Sequence, residues 1–305
     1  MAHLPVWPVA GLMLNALVWG LSWYPFQRLH ALGVHPLWAT FFIYGVALLA
    51  LTALRPGVWR SVRGHSGLWW LALAGGLTNI GFNWAVATGD VVRVVLLFYL
   101  MPAWVVGLAW ALLGERPTAA SLSRVVLALV GVAIVLKSPQ SPWPVPSSLA
   151  DWLAILGGLC FAWTSVLLRK LRQTPDGARI VALFGGSALV PGALVLGLWA
   201  AGALPAPPAA VGQWSAWVAL TGVAILVGNY GLQYGAARMT ANATSLIMLT
   251  ELLFASVSSV ALGAAEWNTR TTVGGALILL AALWAIKPVK PSEAAAPPPT
   301  AGPAH

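Results

Sequence analysis

Apolar and polar positions alternate along this chain in long blocks rather than residue by residue. Runs of about 20 apolar residues, the length that crosses the hydrocarbon core of a bilayer, are separated by short connections that hold most of the charge. Ten such runs stand at residues 6–26, 36–54, 67–87, 91–113, 122–136, 149–168, 180–201, 214–236, 242–263 and 271–286. The fifth and tenth are short, and connections such as residues 88–90 are too tight to hold a soluble domain. The pattern predicts an all-α membrane protein of ten transmembrane helices. Residues 138–148 read as a proline-rich connecting loop, and residues 287–305, rich in proline and alanine, as a disordered cytoplasmic tail.

Composition agrees and adds an orientation. Hydrophobic residues make up 59% of the chain and charged ones 8%, too little charge to cover a soluble surface. A formal net charge of +9 would suggest nucleic acid in a soluble protein. Here the basic residues cluster in the connections, so no nucleic-acid partner is expected and the charge reads as topology. With the N-terminus inside, twelve of the sixteen lysines and arginines face the cytoplasm, leaving Arg28, Arg93, Lys137 and Arg270 outside. Both termini are therefore expected to be cytoplasmic, with the chain in a bacterial inner membrane. Tryptophans near run ends, such as Trp7, Trp69 and Trp152, read as interfacial anchors. The first run lacks a basic lead-in and a cleavage site, so it reads as a retained helix. Cys160 is the only cysteine, which excludes an intrachain disulfide and a cysteine metal site. No cofactor and no metal are expected.

The chain also matches itself. A shift of 150 residues lays Asn79-Ile80-Gly81-Phe82-Asn83 over Asn229-Tyr230-Gly231-Leu232-Gln233. A shift of 151 lays Glu115-Arg116-Pro117-Thr118 over Glu266-Trp267-Asn268-Thr269, and the first spans align less clearly, with Trp19 and Ser22 near Trp163 and Ser165. Residues 1–137 and 149–286 thus read as two five-helix repeats. Five is odd, so the second repeat must enter the membrane inverted. Inverted repeats build transporters whose site lies near the midplane between the halves.

Ten spans, the five-plus-five repeat, the Tyr99-Leu100-Met101-Pro102 run and the Gly114-Glu115-Arg116-Pro117-Thr118 segment resemble the EamA-type transporters of the drug/metabolite transporter superfamily. The likeness extends over about residues 9–286 and is narrowest with the bacterial aromatic amino-acid exporters, through the Tyr-Leu-x-Pro run and the Trp163 region. It implies a secondary transporter exporting aromatic (Phe, Trp, Tyr) and other apolar amino acids by alternating access through a central cavity. Its expected partners are the small-molecule substrate and membrane lipids, and a monomer is the expected state. A broad-specificity drug or metabolite exporter is the alternative. The second half departs from the family, since Thr250-Glu251-Leu252-Leu253 stands where a fourth-span proline is usual. That departure weakens the expectation of matching kinks.

Several residues could carry transport. Glu251 is the only carboxylate at membrane depth. Burying it is costly unless it is protonated, paired or wetted, so it could hold a substrate ammonium, carry a proton or simply bond a neighbouring helix. Asn79 and Asn83 share one helix face, as do Asn229 and Gln233. Their amides suit either a zwitterion or helix-to-helix bonding. Pro102 removes a backbone bond from Phe98 and kinks the fourth span, with Tyr99 and Met101 flanking the kink. Trp163 and Trp19 lie too deep for the interface and could stack on an aromatic substrate or pack. Trp84, Tyr230 and Tyr234 are further candidates for the cavity wall, and Arg93 could attract carboxylates or snorkel to water. An intramembrane enzyme is the reading from another class, but the chain has no His-Glu-x-x-His, no Gly-x-Ser-x-Gly and no pair of deep aspartates.

Overall fold

In lipid each backbone polar group must be satisfied within its own segment, and the chain meets that demand with helices. The computed structural model describes residues 6–62, 64–137, 145–239, 241–265 and 268–286. The tail, Arg63, residues 138–144 of the connecting loop and the Glu266-Trp267 pair lie outside the described residues. In chain order the α-helices are α1 Val6–Leu21, α2 Trp23–Ala31, α3 Pro36–Leu54, α4 Gly67–Thr88, α5 Val91–Phe98, α6 Met101–Leu113 and α7 Ala119–Leu136. There follow α8 Leu149–Lys170, α9 Asp176–Ala200, α10 Val211–Ala236, α11 Ala241–Met248, α12 Thr250–Ala261 and α13 Thr269–Ile286. Helix occurs in each of the ten predicted ranges, broken at Ser22 in the first, at Tyr99 and Leu100 in the fourth and at Leu249 in the ninth.

Seven segments are long and apolar enough to cross a membrane, namely Val6–Ala31, Pro36–Leu54, Val91–Leu113, Ala119–Leu136, Leu149–Lys170, Asp176–Ala200 and Val211–Ala236. Leu246–Ala261 and Thr269–Trp284 are shorter apolar helices. The count falls below the predicted ten for physical reasons. Helix α4 is long, but Asn79, Asn83 and four glycines dilute its apolar character. The α11–α12 pair is interrupted, and α13 is short.

Helix starts follow side-chain chemistry. Asp90 caps α5 by accepting from the Arg93 N–H at 2.8 Å, and Ser148 caps α8 by accepting from Asp151 at 3.1 Å. Thr118 and Ser121 form a capping box at α7. In the matching place of the second half Asn268, not a threonine, accepts from the Thr271 N–H at 2.8 Å.

Close backbone approach holds the bundle, because lipid tails are as apolar as leucine and give helices no hydrophobic reason to associate. Helix α4 packs on α8 and α9, α10 on α1 and α3, α7 on α13, α6 and α5 on α8, and α12 on α1. Glycines sit where these backbones touch. A Cβ on Gly81 would meet the Gly157 backbone of α8 at 2.8 Å, and one on Gly231 would meet the Gly11 carbonyl of α1 at 2.5 Å. Gly131 and Gly274 perform the same service between α7 and α13. Leu49, Leu189, Leu220 and Val257 point outward and are exposed, as lipid-facing side chains are.

Candidate functional site

The amides of α4 reach different ends. Asn79 donates through Nδ2 to Ser187 Oγ on α9 at 2.8 Å and to its own helix at Gly75 O, 3.0 Å, while its Oδ1 accepts from the Tyr44 hydroxyl of α3. That side chain ties three helices together. Asn83, one turn on, is fully buried; its Nδ2 donates to Thr40 Oγ1 at 3.3 Å, and its Oδ1 has no partner among the described residues. Leaving such an atom unsatisfied costs about 1–3 kcal/mol, so Asn83 is the amide with capacity to spare.

The second amide pair stands on α10, which packs on α1 and α3, and its side chains are bonded differently. Asn229 is half-buried and donates back to Ile225 O of its own helix at 3.2 Å. Tyr230 is half-buried, with the Arg55 guanidinium 5.4 Å from its ring centre. Gln233 and Tyr234 are exposed, and Arg238 lies 3.9 Å over the Tyr234 ring. Among the described residues no hydrogen bond links the two amide pairs.

Two helix interruptions frame the centre. Between α5 and α6 the chain breaks at Tyr99 and Leu100, as Pro102 requires, and the Phe98 carbonyl lies against Gly158 of α8, 2.6 Å from where a Cβ would be. Between α11 and α12 it breaks at Leu249, where no proline stands. There the Thr250 hydroxyl donates to the Ile247 carbonyl at 2.6 Å, diverting a main-chain acceptor from its helical partner. Tyr99 is buried and Met101 and Pro102 are half-buried. Glu251 is half-buried in the first turn of α12, within electrostatic reach of Tyr99, and makes no hydrogen bond or ion pair among the described residues. Its main chain packs on Gly20 of α1.

Sequence reasoning missed Asn15. It is 1% exposed on α1, its Nδ2 lies 3.8 Å from Met248 Sδ, and its Oδ1 has no partner among the described residues. The signal was available, since a lone asparagine stands in the middle of the first apolar run.

The candidate aromatic side chains fall in separate clusters. Trp19, Phe82, Phe98 and Phe161 form a chain of ring contacts at 6.4, 4.8 and 5.6 Å across α1, α4, α5 and α8. Trp163 is not part of it; it packs on Trp70 at 6.0 Å beside a separate apolar cluster around Leu68, Leu71 and Leu167. Trp84 stands apart again, edge-on to His35 at 4.7 Å. Burial, helped by the nearby His30, lowers the His35 imidazole below its ordinary pKa, and its Nδ1 accepts from the Leu37 N–H at 3.2 Å to start α3.

Trp84 borders a cleft of about 530 Å³ at the end of the bundle where the α4–α5 and α7–α8 connections meet. At its floor Arg93 forms a two-pronged ion pair with Asp151 of α8, Nε and Nη2 each 2.8 Å from a carboxylate oxygen, and Nη1 donates to Val135 O at 3.1 Å. The Asp151 side chain is 2% exposed and that of Arg93 25%. Arg93 neither snorkels nor stands alone. At the opposite end of α8, Arg169 pairs with Glu115, which follows α6, at 2.9 Å and in the open.

The described residues form an all-helical bundle with glycine-mediated contacts and several helices long and apolar enough to cross a membrane. Residues 6–137 match the EamA-like transporter family. The rest of the described chain is likewise helical, with further segments long and apolar enough to cross a membrane. A solved structure titled only "Crystal structure of protein" shares the fold at TM-score 0.60 and 18% identity, covering 91% of this chain and 96% of its own. No curated protein matches the chain.

Proposed function

We propose that the protein exports aromatic and other apolar amino acids across a bacterial inner membrane, by alternating access between two inverted five-helix halves, residues 1–137 and 149–286. Three observations support the inverted halves. Helix occurs in all ten ranges, the interruptions at Tyr99 and Leu249 stand 150 residues apart, and the helix pairings exchange into one another when the halves are swapped. Thus α4 on α8 and α9 becomes α10 on α1 and α3, and α6 on α8 becomes α12 on α1. The excess of basic residues on one side supports cytoplasmic termini.

The observation that carries the function is Glu251. A carboxyl at membrane depth costs about 3 kcal/mol to insert, and here it has no protein partner among the described residues while lying beside a helix break. In the proposed cycle Glu251 takes the substrate ammonium and the Asn83 amide takes part of the polar head. Tyr99, Met101 and the Trp19–Phe82–Phe98 chain line the side-chain path, and the two interruptions flex as access alternates. Asn79 holds α4 to α3 and α9 beside the path, Asn229 faces it from α10, and Trp163 supports the α4–α8 contact from its separate cluster.

Uptake of radiolabelled L-phenylalanine into liposomes holding the pure protein tests this, with and without a pH gradient. Glu251→Gln, which keeps shape and removes the charge, is expected to lower flux at least about tenfold, the loss of one charged contact of about 1.4 kcal/mol or more. Undiminished phenylalanine flux in that variant overturns the site. Wild-type flux of other solutes but no amino acid overturns the substrate class and leaves the broad-specificity exporter.

A further inference from the structure

Helix α10 carries an apolar stripe that ends in two cations. Leu220, Val223, Val227, Tyr230 and Tyr234 follow one another at steps of three and four residues, which puts them on one face of the helix. That face is opposite the buried Val218, Thr221 and Ile225, so it looks away from the bundle. Leu220, Val223 and Val227 are exposed along it. From Leu220 to Tyr230 the helix rises about 15 Å, half of the ~30 Å hydrocarbon core. An acyl chain of one leaflet has that depth.

Helix α3 forms a second wall. A Cβ on Gly222 would meet the Ile43 carbonyl at 2.7 Å and the Val46 side chain at 3.1 Å, so the two helices touch there and leave a furrow along their outer side. Leu49 and Ala53, one and two turns beyond Val46, are exposed and continue that wall.

At the end of the furrow each tyrosine carries a guanidinium. Arg55, just past α3, lies 5.4 Å from the Tyr230 ring centre, and Arg238, just past α10, lies 3.9 Å from that of Tyr234. The two rings are one turn apart, about 6 Å along the axis, close enough for both guanidiniums to reach one phosphate. Neither meets a carboxylate among the described residues, and Glu115 and Asp176 at the same end are taken by Arg169 and Arg179. Arg238 donates from Nη1 to the Tyr234 carbonyl and keeps its other donors. Stacking on a ring leaves the guanidinium's in-plane N–H edge open, and that edge matches phosphate oxygens two at a time.

We propose that the α3–α10 furrow binds one anionic phospholipid, with its phosphate between Arg55 and Arg238 and an acyl chain along Leu220, Val223 and Val227. A headgroup that adds an ammonium finds no unpaired carboxylate at this end among the described residues, so phosphatidylglycerol is preferred over phosphatidylcholine. The lipid ties the end of α10 to the end of α3, just before the chain enters α11. The site is independent of Glu251 and of the substrate; only its place in the cytoplasmic leaflet rests on the proposed orientation.

Native mass spectrometry of the full-length protein in detergent counts the bound lipid. With dioleoyl phosphatidylglycerol and dioleoyl phosphatidylcholine at equal concentration, the singly bound species should favour phosphatidylglycerol about tenfold, the worth of one charged hydrogen bond. Arg55→Gln with Arg238→Gln should abolish the preference, and Arg238→Gln alone should reduce it. Arg60→Gln with Arg172→Gln removes as much charge from exposed positions at the same end but outside the furrow, and should keep it. Equal loss in that control overturns the proposal and leaves only a basic surface. Equal binding of the two lipids by the wild type overturns it as well, as does displacement of the lipid by inorganic phosphate at the same concentration, which would assign the arginines to a free anion. Lipid binding is read without transport, so its failure leaves the export reading standing, and a protein that moves no amino acid in liposomes leaves the lipid site standing.

Discussion

Gly185 and Gly186 of α9 are adjacent and differ in one respect. A Cβ on Gly186 would stand 2.0 Å from the Ala72 carbonyl oxygen of α4, whereas one on Gly185 meets nothing within 4 Å. Ordinary contact begins near 3.4 Å, so Gly186→Ala forces α4 and α9 about 1.4 Å apart at that level. The same parting stretches the bond from Asn79 to Ser187, now 2.8 Å, past any useful length. Overpacking costs about 1–3 kcal/mol and the lost hydrogen bond about 1 more, against about 1 gained from alanine's helix preference. Gly186→Ala should therefore destabilise by about 1–3 kcal/mol, and Gly185→Ala should be neutral or stabilising by up to about 1 kcal/mol. Thermal unfolding of the two purified variants beside the wild type, in one detergent, measures both. Equal midpoints for the two, or a Gly186→Ala protein as stable as wild type, would refute the close α4–α9 contact.

Further outcomes follow from other residues. Asp151→Asn leaves Arg93 without its charge partner and should cost about 2–3 kcal/mol, less than a fully buried pair because Arg93 is partly exposed; the reversed pair Arg93→Asp with Asp151→Arg should recover part of the loss in the same unfolding assay. Asn83→Leu removes an amide oxygen that has no partner, so it should leave unfolding within about 1 kcal/mol of wild type while lowering phenylalanine flux. A large loss of stability would instead assign Asn83 a structural role. His35 is neutral when folded, with its pKa lowered by burial and His30. The unfolded chain binds the extra proton as pH falls through about 6.5, so stability should be full above that pH and decline below it. Protonation of Nδ1 would also remove the acceptor for Leu37. His35→Gln should flatten the decline in thermal midpoint between pH 7 and 5.

Hydropathy made the helical ranges legible because ten blocks of one chain are apolar for the same reason. Length and composition alone single out seven segments, since α4 carries two asparagines and four glycines and α11–α12 is interrupted. The break at Leu249 could not be read from the missing proline; beside it the Thr250 hydroxyl donates to the Ile247 carbonyl. Arg93 and Asp151 lie 58 positions apart on different helices, and no local pattern announces a pair across such a distance. Gly185 and Gly186 are indistinguishable in sequence, and only the packing says that Gly186 touches a neighbour and Gly185 does not. Trp163 and Trp19 looked equivalent in sequence, but α8 turns one toward Trp70 while α1 turns the other toward Phe82.

Helix α8 is tied at both ends to one partner: Asp151 to Arg93 before the interruption, and Arg169 to Glu115 after α6. The partner is jointed between these ties at Tyr99 and Leu100, whereas α8 runs unbroken for 22 residues. In mechanical terms this is a rigid strut pinned to a two-piece link. With both pins closed the joint is locked, and it turns only when one pin opens. The exposed pin is the weaker of the two, since water competes for its charges. The linkage therefore has a preferred first move, release at the Arg169 end, and a bend that pivots about the buried anchor at Asp151.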